Sequence, residues 1–358
     1  MAECIHFGIC GGCSYQDLAY EVQLELKRSL VAEALHLFQA RDEFEVRPTL
    51  ASPKPYRYRH MIALSVKRRQ GQLRMGFIGH DRRAFLPIDN CPISDDRINV
   101  FLPAALQKLE ELPPERKFNT SQVVLRVGTD GDVITSIRTD CGKLLQCSVM
   151  GKTFTFSMSS FFHNNFSILE TFIETIKQFL EPDSLSLRGS IPSDAEAISD
   201  QGLRPSRNDV KKGTLFDLYS GVGLISILSA DRYQTVIGIE EGYEAVKYAK
   251  ENATKNKVEN IAFWEGKVEN LLSELTKQSP KPLHVVVDPP RIGLKSEVIS
   301  CLNNLPIERL VYVSCHLEAL KRDLGLLTEH FRIVEVQPID FFPQTKHIET
   351  IVLLKPLL

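Results

Sequence analysis

Apolar and polar residues alternate in two different rhythms along this chain of 358 residues. Residues 15–40 carry apolar residues at helical spacing between charged ones, which predicts one helix; they are Leu24, Leu26, Leu30, Val31, Leu35 and Phe38. Between Tyr56 and Cys91 the apolar runs are short, which predicts strands separated by basic turns. Residues 100–112 show helical spacing again and predict a second helix.

Further strands and one strong helix are predicted in the middle of the chain. Residues 121–137 and 144–157 alternate as strands do, with the turn Asp130-Gly131-Asp132 inside the first run. Residues 166–180 have the spacing of an amphipathic helix. Residues 181–213 are rich in Ser, Pro, Gly, Asp and Arg, which predicts a long, exposed and mobile loop.

From Thr214 onward, apolar strands alternate with helical segments. The strands are TLFDLYS, TVIGIE, NIAFWEG, HVVVDPP, RLVYVSC, FRIVEVQPID and TIVLLK. This alternation is typical of a doubly wound α/β sheet. We therefore predict two domains: residues 1–160 as a cysteine-containing, β-rich α+β domain, and residues 161–358 as the α/β domain.

Composition and charge narrow the class of protein. Apolar residues make up 43% and charged residues 25%, as in soluble globular proteins. No run of about 18 apolar residues predicts a membrane span, and the N-terminus lacks a secretory pattern, so we expect a cytoplasmic protein. The net charge of the whole chain, −2, does not indicate whether the protein binds nucleic acid.

Local charge is more informative than net charge. Residues 54–83 hold nine basic residues and one acid, Asp81; the basic residues are Lys54, Arg57, Arg59, Lys67, Arg68, Arg69, Arg74, Arg82 and Arg83. Such a basic stretch with interleaved aromatic residues is typical of a phosphate-binding surface and predicts an RNA partner. The alternative is a merely solvated sheet face.

A glycine turn follows the first strand of the α/β region. Gly221 and Gly223 let the backbone approach a nucleoside at the carboxyl edge of the sheet, and Glu240 ends the next strand, where it can bind ribose hydroxyls. Ser226 replaces the third glycine of a dinucleotide fingerprint. The pattern predicts a nucleoside cofactor but also admits NAD or a plain structural turn.

Three later strand boundaries carry candidate catalytic groups. Asp288 and Arg291 belong to an Asp-Pro-Pro-Arg segment, in which Arg291 can donate to a pyrimidine carbonyl or a phosphate. Cys315 follows a buried-looking strand, and we expect a helix N-terminus to lower its pKa. Glu349 opens the last strand and is a candidate base because it pairs with Cys315. The alternatives are that Arg291 is a surface residue on a rigid loop, that Cys315 is a small core residue, and that Glu349 is a solvated residue at a strand boundary.

Three cysteines crowd the first 13 residues. Cys4, Cys10 and Cys13 form a C-x5-C-x2-C array, and Cys91 lies far downstream. Four thiolates with this spacing suit zinc and an iron–sulfur cluster equally. The other cysteines are interpreted as small core residues; these include Cys141, Cys147 and Cys301.

Together these motifs resemble the S-adenosylmethionine-dependent RNA 5-methyluridine methyltransferases that carry a 4Fe-4S cluster. The resemblance covers the whole chain through the cysteine array, YRYRHM, SFFHNN, LYSGVG, GIE, DPPRIGL, SCH and HIET. It implies a class I, Rossmann-like methyltransferase sheet, Cys315 as nucleophile and Glu349 as base. It also implies cluster ligands and cofactor contacts: Cys4, Cys10, Cys13 and Cys91 for the cluster, and His163, Tyr219, Gly221, Gly223, Glu240 and Asp288 for the cofactor.

The chain departs from the family pattern in three places. His163 stands where the family has a cofactor-binding glutamine, and His316 stands where it has an asparagine. The chain starts directly at the cysteine array, without the small RNA-binding barrel of many members, so we expect the basic stretch to contribute more to RNA binding.

The implied activity is methylation of C5 of a specific uridine, for which we expect ribosomal RNA in preference to transfer RNA. The cluster is expected to have a structural or RNA-positioning role. Alternatives are a cytosine-C5 RNA methyltransferase, a NAD-dependent oxidoreductase and a non-catalytic, cluster-containing RNA-binding module.

Overall fold

A computed structural model of the chain describes residues 2–69, 72–112, 122–137, 140, 142–181 and 212–357. Most of the loop predicted at 181–213 lies outside these residues, as does Cys141. No helix among the residues described is long and apolar enough to cross a bilayer.

The first helix buries a face that its apolar residues do not predict. The helix α1 (Tyr20–Leu35) ends in a short 3-10 turn (His36–Ala40), so the predicted helix is shorter than 15–40. Its buried positions are Gln23, Lys27, Val31 and Leu35, whereas Leu26 and Leu30 are 40% and 37% exposed. Gln23 and Lys27 can be buried because each forms a hydrogen bond with a side chain near the C-terminus, Gln344 and Asp340 respectively.

The central region is an antiparallel sheet covered by one helix. Its five strands have the order β3-β2-β1-β4-β5; they are β1 (Met61–Arg69), β2 (Gln72–Ile78), β3 (Phe85–Pro87), β4 (Gln122–Arg126) and β5 (Ile134–Thr135). The helix α2 (Asp96–Glu110) packs on it with residues one helical turn apart; these are Ile98, Leu102, Ala105 and Leu109. The predicted strands at 56–91 and the second helix are confirmed.

The C-terminal region is a seven-stranded sheet of order β10-β9-β8-β11-β12-β14-β13. Its strands are β8 (Lys212–Leu218), β9 (Tyr233–Glu240), β10 (Ile261–Glu265), β11 (Leu283–Val287), β12 (Ile307–Ser314), β13 (Phe331–Ile339) and β14 (Glu349–Pro356). The described helices that connect them are α4 (Leu224–Ser229), α5 (Tyr243–Lys255), α6 (Val268–Lys277), α7 (Ser296–Asn303) and α8 (Leu317–Leu327). The pairing is parallel except around β14, which confirms the doubly wound α/β sheet.

Segments from the N-terminal half cover both faces of this sheet. One face packs against the hairpin β6 (Leu144–Val149) and β7 (Lys152–Ser157) and against the predicted amphipathic helix, α3 (Leu169–Phe179). The other face packs against Val31 and Leu35 of α1. The division at residue 160 stays a prediction, and the hydrophobic cores cross it.

The strand order places a crevice between β8 and β11. The chain runs outward through β8, β9 and β10 and then returns to lay β11 on the other side of β8. Open α/β sheets bind ligands at the carboxyl ends of strands where the order reverses in this way. The expected site therefore lies where β8 and β11 end.

Candidate active site

Cys315 and Glu349 meet across two neighbouring strands. Ser314, the last residue of β12, pairs with Thr350 of β14, so the next pair in this antiparallel register is Cys315 with Glu349. Cys315 lies just after β12, and Glu349 is the first residue of β14. Because β14 runs antiparallel to β12, its first residue lies at the carboxyl edge of the sheet.

Two aspartates extend this row of polar groups along the same edge. Asp217 lies near the end of β8, and Asp288 follows β11 directly. Leu218 and Val287 pair in the parallel register of these strands, which brings the two carboxyl groups to one edge. Burial and then the neighbouring Asp217 raise the pKa of Asp288 to about 7. Burial and then Asp288 raise the pKa of Glu349 well above its usual range.

The prediction of a lowered pKa for Cys315 is wrong. Burial raises the pKa of this thiol to about 11, and the carboxyl groups of Glu349 and Asp288 raise it further than Arg291 lowers it. The helix N-terminus of α8 does not outweigh two carboxyl groups beside a half-buried thiol. The thiol of Cys315 therefore keeps its proton at neutral pH.

His316 holds the turn that carries Cys315. Its Nδ1 accepts a hydrogen bond from the backbone N–H of Ala319 at 3.3 Å, so the side chain caps α8. The Ser314 hydroxyl donates to the His316 carbonyl oxygen at 3.1 Å. The histidine therefore performs a capping role at the position where the family has asparagine.

Arg291 lies at the mouth of this site beside a second histidine. Its Nη2 is 3.5 Å from Nδ1 of His347, and burial followed by Arg291 lowers the pKa of His347. The loop after Arg291 is fixed by Asp323, which accepts hydrogen bonds from the Leu294 N–H at 2.7 Å and the Tyr312 hydroxyl at 2.6 Å. Our sequence interpretation missed His347 and Asp323; for His347, the HIET segment was the available signal.

The glycine turn and Glu240 are brought together as predicted. The Gly221 N–H donates to Glu240 Oε2 at 3.1 Å, and the Gly242 N–H donates to Oε1 at 2.8 Å. Tyr219, Gly221 and Gly223 all have positive φ, at 67°, 53° and 87°, which gives the turn its sharp bend. An ionised carboxylate has about four lone-pair positions, so Glu240 can accept further hydrogen bonds.

Ser226 has a specific role at the position of the missing third glycine. Asp217 Oδ2 accepts from the Ser226 N–H at 3.0 Å and from its hydroxyl at 2.5 Å, which fixes α4 to the end of β8. Burial raises the pKa of Asp217 to about 7 although these hydrogen bonds oppose the shift. Within the described residues, Asp217 Oδ1 and the Ser220 hydroxyl are buried without a hydrogen-bond partner.

His163 lies in an aromatic cluster beside the sheet. Its ring centroid is 5.2 Å from those of Phe172 and Phe341, and burial lowers its pKa to about 4. The preceding segment is fixed by Arg126, whose Nη1 donates to the carbonyl oxygens of Ser157 and Ser160 at 3.0 and 2.7 Å. The contact between His163 and a cofactor stays a prediction.

The four predicted ligand cysteines surround one cavity. Cys4, Cys10, Cys13 and Cys91 all line a volume of about 250 Å³. Burial raises the pKa of Cys10, and it raises the pKa of Cys13 to about 11. Among the residues described, no group of three or more His, Cys, Asp or Glu side chains is placed to hold a metal ion. The cysteines therefore line a space instead of converging on one point.

The basic stretch divides between surface and interior. Six of its residues are exposed: Lys54, Lys67, Arg68, Arg74, Arg82 and Arg83. Arg59 is a correction to the predicted surface, because it lines the cysteine cavity. Arg57 Nε lies 3.2 Å from Asp96 Oδ1, and the side chain of Arg69 is outside the described residues. Lys67 pairs with Arg74 across β1 and β2, so two like charges face each other.

Comparison with known proteins identifies the family. Residues 206–356 match the family model described as tRNA (Uracil-5-)-methyltransferase. An uncharacterised RNA methyltransferase of Listeria monocytogenes is 31% identical, in an alignment that spans 99% of this chain and 83% of the relative. The chain belongs to the RNA (uracil-5-)-methyltransferase family. It is therefore a methyltransferase enzyme, as predicted.

Two other relatives of this RNA (uracil-5-)-methyltransferase have stated substrates. The tRNA (uracil(54)-C(5))-methyltransferase of Schizosaccharomyces pombe is 30% identical over 99% of this chain and 65% of its own length. The crystal structure of Pyrococcus abyssi tRNA (uracil-54, C5)-methyltransferase, a complex with S-adenosyl-L-homocysteine, has a TM-score of 0.68 and 22% identity, covering 96% of this chain and 85% of that one. The second comparison shows a shared fold.

Proposed function

We propose that this enzyme transfers a methyl group from S-adenosylmethionine to C5 of a uridine in RNA, with Cys315 as nucleophile and Glu349 as base. The observation that carries this proposal is the register of β12 and β14: Ser314 pairs with Thr350, so Cys315, just after β12, comes opposite Glu349, the first residue of β14. Uracil C5 is a weak nucleophile until a group adds at C6. A cysteine for that addition and a carboxylate for the later proton removal are the two groups that the reaction needs.

The crevice at β8 fits a nucleoside cofactor. Glu240 has free acceptor positions for ribose hydroxyls, and a Cβ at Gly221 would find no protein atom within 4 Å, so space remains beside the turn. The buried, unpartnered Ser220 hydroxyl lies in the same turn and can bond a ligand. We assign the cofactor contacts to Tyr219, Gly221, Gly223, Glu240 and Asp288, with His163 at the edge. Bound S-adenosylmethionine supplies an electrophilic methyl group.

The protein groups act in sequence on the uracil ring. The Cys315 thiol first loses its proton to solvent, and the resulting thiolate forms a bond to C6. The electron pair of the C5–C6 double bond moves toward the C4 carbonyl oxygen, which makes C5 nucleophilic. After C5 is methylated, Glu349 accepts the C5 proton, the C5–C6 double bond forms again, and the C6–S bond breaks to return the thiolate. Arg291 is exposed at the mouth and can donate to a carbonyl oxygen of the ring.

The shifted pKa values in the site are consistent with Glu349 as the base and Cys315 as the nucleophile. A base works best when its pKa lies near the working pH, and burial beside Asp288 moves the pKa of Glu349 upward in that direction. The raised pKa of Cys315 keeps the thiol protonated at neutral pH, so the thiol has to lose this proton before it adds to C6. The target base has to leave its stack to reach Cys315, since this residue is half-buried.

Transfer RNA is the substrate class that the relatives support. The sequence predicts ribosomal RNA, but the Schizosaccharomyces pombe relative is named as acting on uracil 54 of transfer RNA, as is the Pyrococcus abyssi enzyme that shares the fold. The exposed basic residues of β1 and β2 suit the backbone of either RNA. The deciding experiment supplies purified enzyme and labelled S-adenosylmethionine with transfer RNA or ribosomal RNA that lacks the modification. We expect labelled 5-methyluridine; labelled 5-methylcytidine would overturn the assignment.

We further infer that the cysteine cavity holds an iron–sulfur cluster, as the family resemblance implies. A single zinc ion would draw all four sulfur atoms to about 2.3 Å from one point. Here the four cysteines line about 250 Å³, which suits a larger inorganic group. Cys4, Cys10, Cys13 and Cys91 would hold the cluster, and the half-buried Arg59 lies where it can offset the negative charge of their thiolates.

A further inference from the structure

The segment that leads into Glu349 is fastened to the N-terminal region through one residue. We call residues 340–348, between β13 and β14, the base loop. At its centre, Gln344 is 2% exposed and has a φ of 67°. Its carbonyl oxygen accepts hydrogen bonds from the N–H groups of Ser14 at 2.8 Å and Tyr15 at 3.1 Å. These two residues directly follow Cys13.

Gln23 of α1 completes the attachment from the other side. The Gln344 N–H donates to Gln23 Oε1, and Gln23 Nε2 donates to Gln344 Oε1, both at 3.0 Å. Gln23 Nε2 also lies 3.0 Å from the Tyr15 carbonyl oxygen, and Gln344 Nε2 donates to the Pro55 carbonyl oxygen at 3.4 Å. Every polar group of Gln344 thus bonds to residues between 14 and 55.

Neighbouring contacts fix the first half of the base loop as well. The Tyr58 hydroxyl donates to the Pro343 carbonyl oxygen at 3.0 Å. Lys27 Nζ lies 2.5 Å from Asp340 Oδ1 and donates to the Phe342 carbonyl oxygen at 3.0 Å, with both charged side chains fully buried. The second half of the loop continues from Gln344 through Thr345, whose hydroxyl donates to the Phe342 carbonyl oxygen at 2.8 Å, and leads into Glu349, which also pairs with Ile339 of β13.

We propose that Gln344 is a positioning residue for proton removal, because it sets the place of Glu349 opposite Cys315. The inference rests on the proposed function and adds a role for a residue outside the reacting groups. A positive φ at a residue other than glycine is uncommon and clusters at functional sites where the surroundings enforce it. Here the contacts that enforce it come from the segment after Cys13 and from α1. Hydrogen bonds therefore connect the segment beside the cysteine cavity with the loop that leads to Glu349.

The test separates two steps of one turnover. Gln344→Ala removes the side-chain hydrogen bonds. We expect product release to slow by up to about 100-fold, because a small misplacement of a catalytic group can reduce a rate by that factor. A methylated covalent protein–RNA adduct should accumulate on denaturing gels. Trapping of RNA containing 5-fluorouridine, which needs Cys315 but no proton removal, should stay within about twofold of wild type.

Two further variants keep the result interpretable. Gln23→Ala removes the bond that the two side chains share and the acceptor of the Gln344 N–H, without altering the loop sequence. It should therefore also slow release and leave trapping unchanged, and the double variant should be less impaired than the sum of the two single effects. Gln337→Ala is the matched control: Gln337 is buried and donates to the Pro48 carbonyl oxygen at 2.7 Å, but it lies outside the base loop. It should leave both rates unchanged.

The outcomes distinguish this inference from the proposed function. If wild-type enzyme makes no 5-methyluridine, the proposed function fails. If wild type is active but trapping and release slow equally in Gln344→Ala and Gln23→Ala, the contacts serve stability alone and the positioning role is wrong. Release at the wild-type rate in both variants would overturn it as well.

Discussion

Asp217 and Asp288 lie at the carboxyl ends of two neighbouring parallel strands, close enough for the charge of Asp217 to raise the pKa of Asp288. Asp288 in turn raises the pKa of Glu349, which faces Cys315. Four ionisable groups therefore form one row along the edge of the sheet. Because each negative charge disfavours the next, the row binds protons more tightly than isolated side chains would.

The first prediction concerns stability and pH at Asp217. Burial raises the pKa of Asp217 from 3.8 to about 7. Its contribution to stability is therefore full below pH 3.8 and is lost as the pH rises through about 7. Asp217→Asn keeps an acceptor for Ser226 and never ionises, so it should gain up to about 4 kcal/mol relative to wild type between pH 4 and pH 8. Urea unfolding at both pH values measures this gain, and parallel pH profiles would contradict the prediction.

The second prediction assigns separate steps to Cys315 and Glu349. Cys315→Ala should abolish methyl transfer and leave cofactor binding intact, because the thiol is needed only for addition at C6. Glu349→Gln should permit addition and methylation and then stall as a methylated covalent adduct. Each loss should reach several kcal/mol of barrier, measured by single-turnover kinetics and mass spectrometry of the adduct.

Cys301 provides the control for that pair. It lies within α7 and its Sγ is 3.5 Å from the Ser273 hydroxyl, away from the carboxyl edge of the sheet. Cys301→Ala should methylate RNA at the wild-type rate. If the Cys315→Ala variant methylated uridine without forming an adduct, the covalent mechanism would be refuted. A covalent RNA adduct of the Cys315→Ala variant would instead assign the nucleophile to another cysteine.

The third prediction concerns the pH dependence of product release. Glu349 has to be ionised to accept the C5 proton, and its pKa is raised by burial and by Asp288. Release should therefore be slow at acidic pH and accelerate as the pH rises through that raised value. Asp288→Asn removes the neighbouring charge and should shift this rise to lower pH. An unchanged midpoint in a stopped-flow pH series would show that the two groups are not coupled.

Much of the fold and of the cofactor crevice could be predicted from local patterns. The alternation of strands and helices after Thr214 predicts the sheet. Gly221 and Glu240, both predicted for the cofactor site, are joined by a hydrogen bond in the structure. The partners of buried polar residues could not be predicted. Lys27 and Asp340 are 313 positions apart, and the helical pattern of α1 favours Leu26 over Lys27 as a buried residue. The pKa of Cys315 depends on carboxyl groups from two other strands, which no local pattern reveals.

The fourth prediction concerns the cysteine cavity. Protein purified without oxygen should be brown and contain about four irons per chain. Cys10→Ser or Cys91→Ser should lose the colour and most of the iron, because each removes a residue that lines the cavity. Cys301→Ser should retain both. Stoichiometric zinc without iron in anaerobic preparations would exclude the cluster.

The last prediction concerns RNA binding by β1 and β2. Lys67 and Arg74 are exposed and occupy directly paired positions of the two strands, so the register brings two basic residues together on the surface. Two neighbouring basic residues suit the binding of phosphate groups. Lys67→Ala with Arg74→Ala should weaken RNA binding and reduce the log–log salt slope by about one to two units, while affinity for S-adenosylmethionine stays unchanged.

The matched control for this pair is Lys277→Ala, because Lys277 is an exposed lysine on α6 whose Nζ lies 2.8 Å from Glu274. It should leave the salt slope at the wild-type value. Urea unfolding of the double variant checks that weaker binding does not come from loss of the fold, since Lys67 Nζ also lies 5.4 Å from the Phe85 ring centroid. A wild-type salt slope in that variant would mean that these side chains form a solvated face, and that the RNA backbone is bound elsewhere on the enzyme.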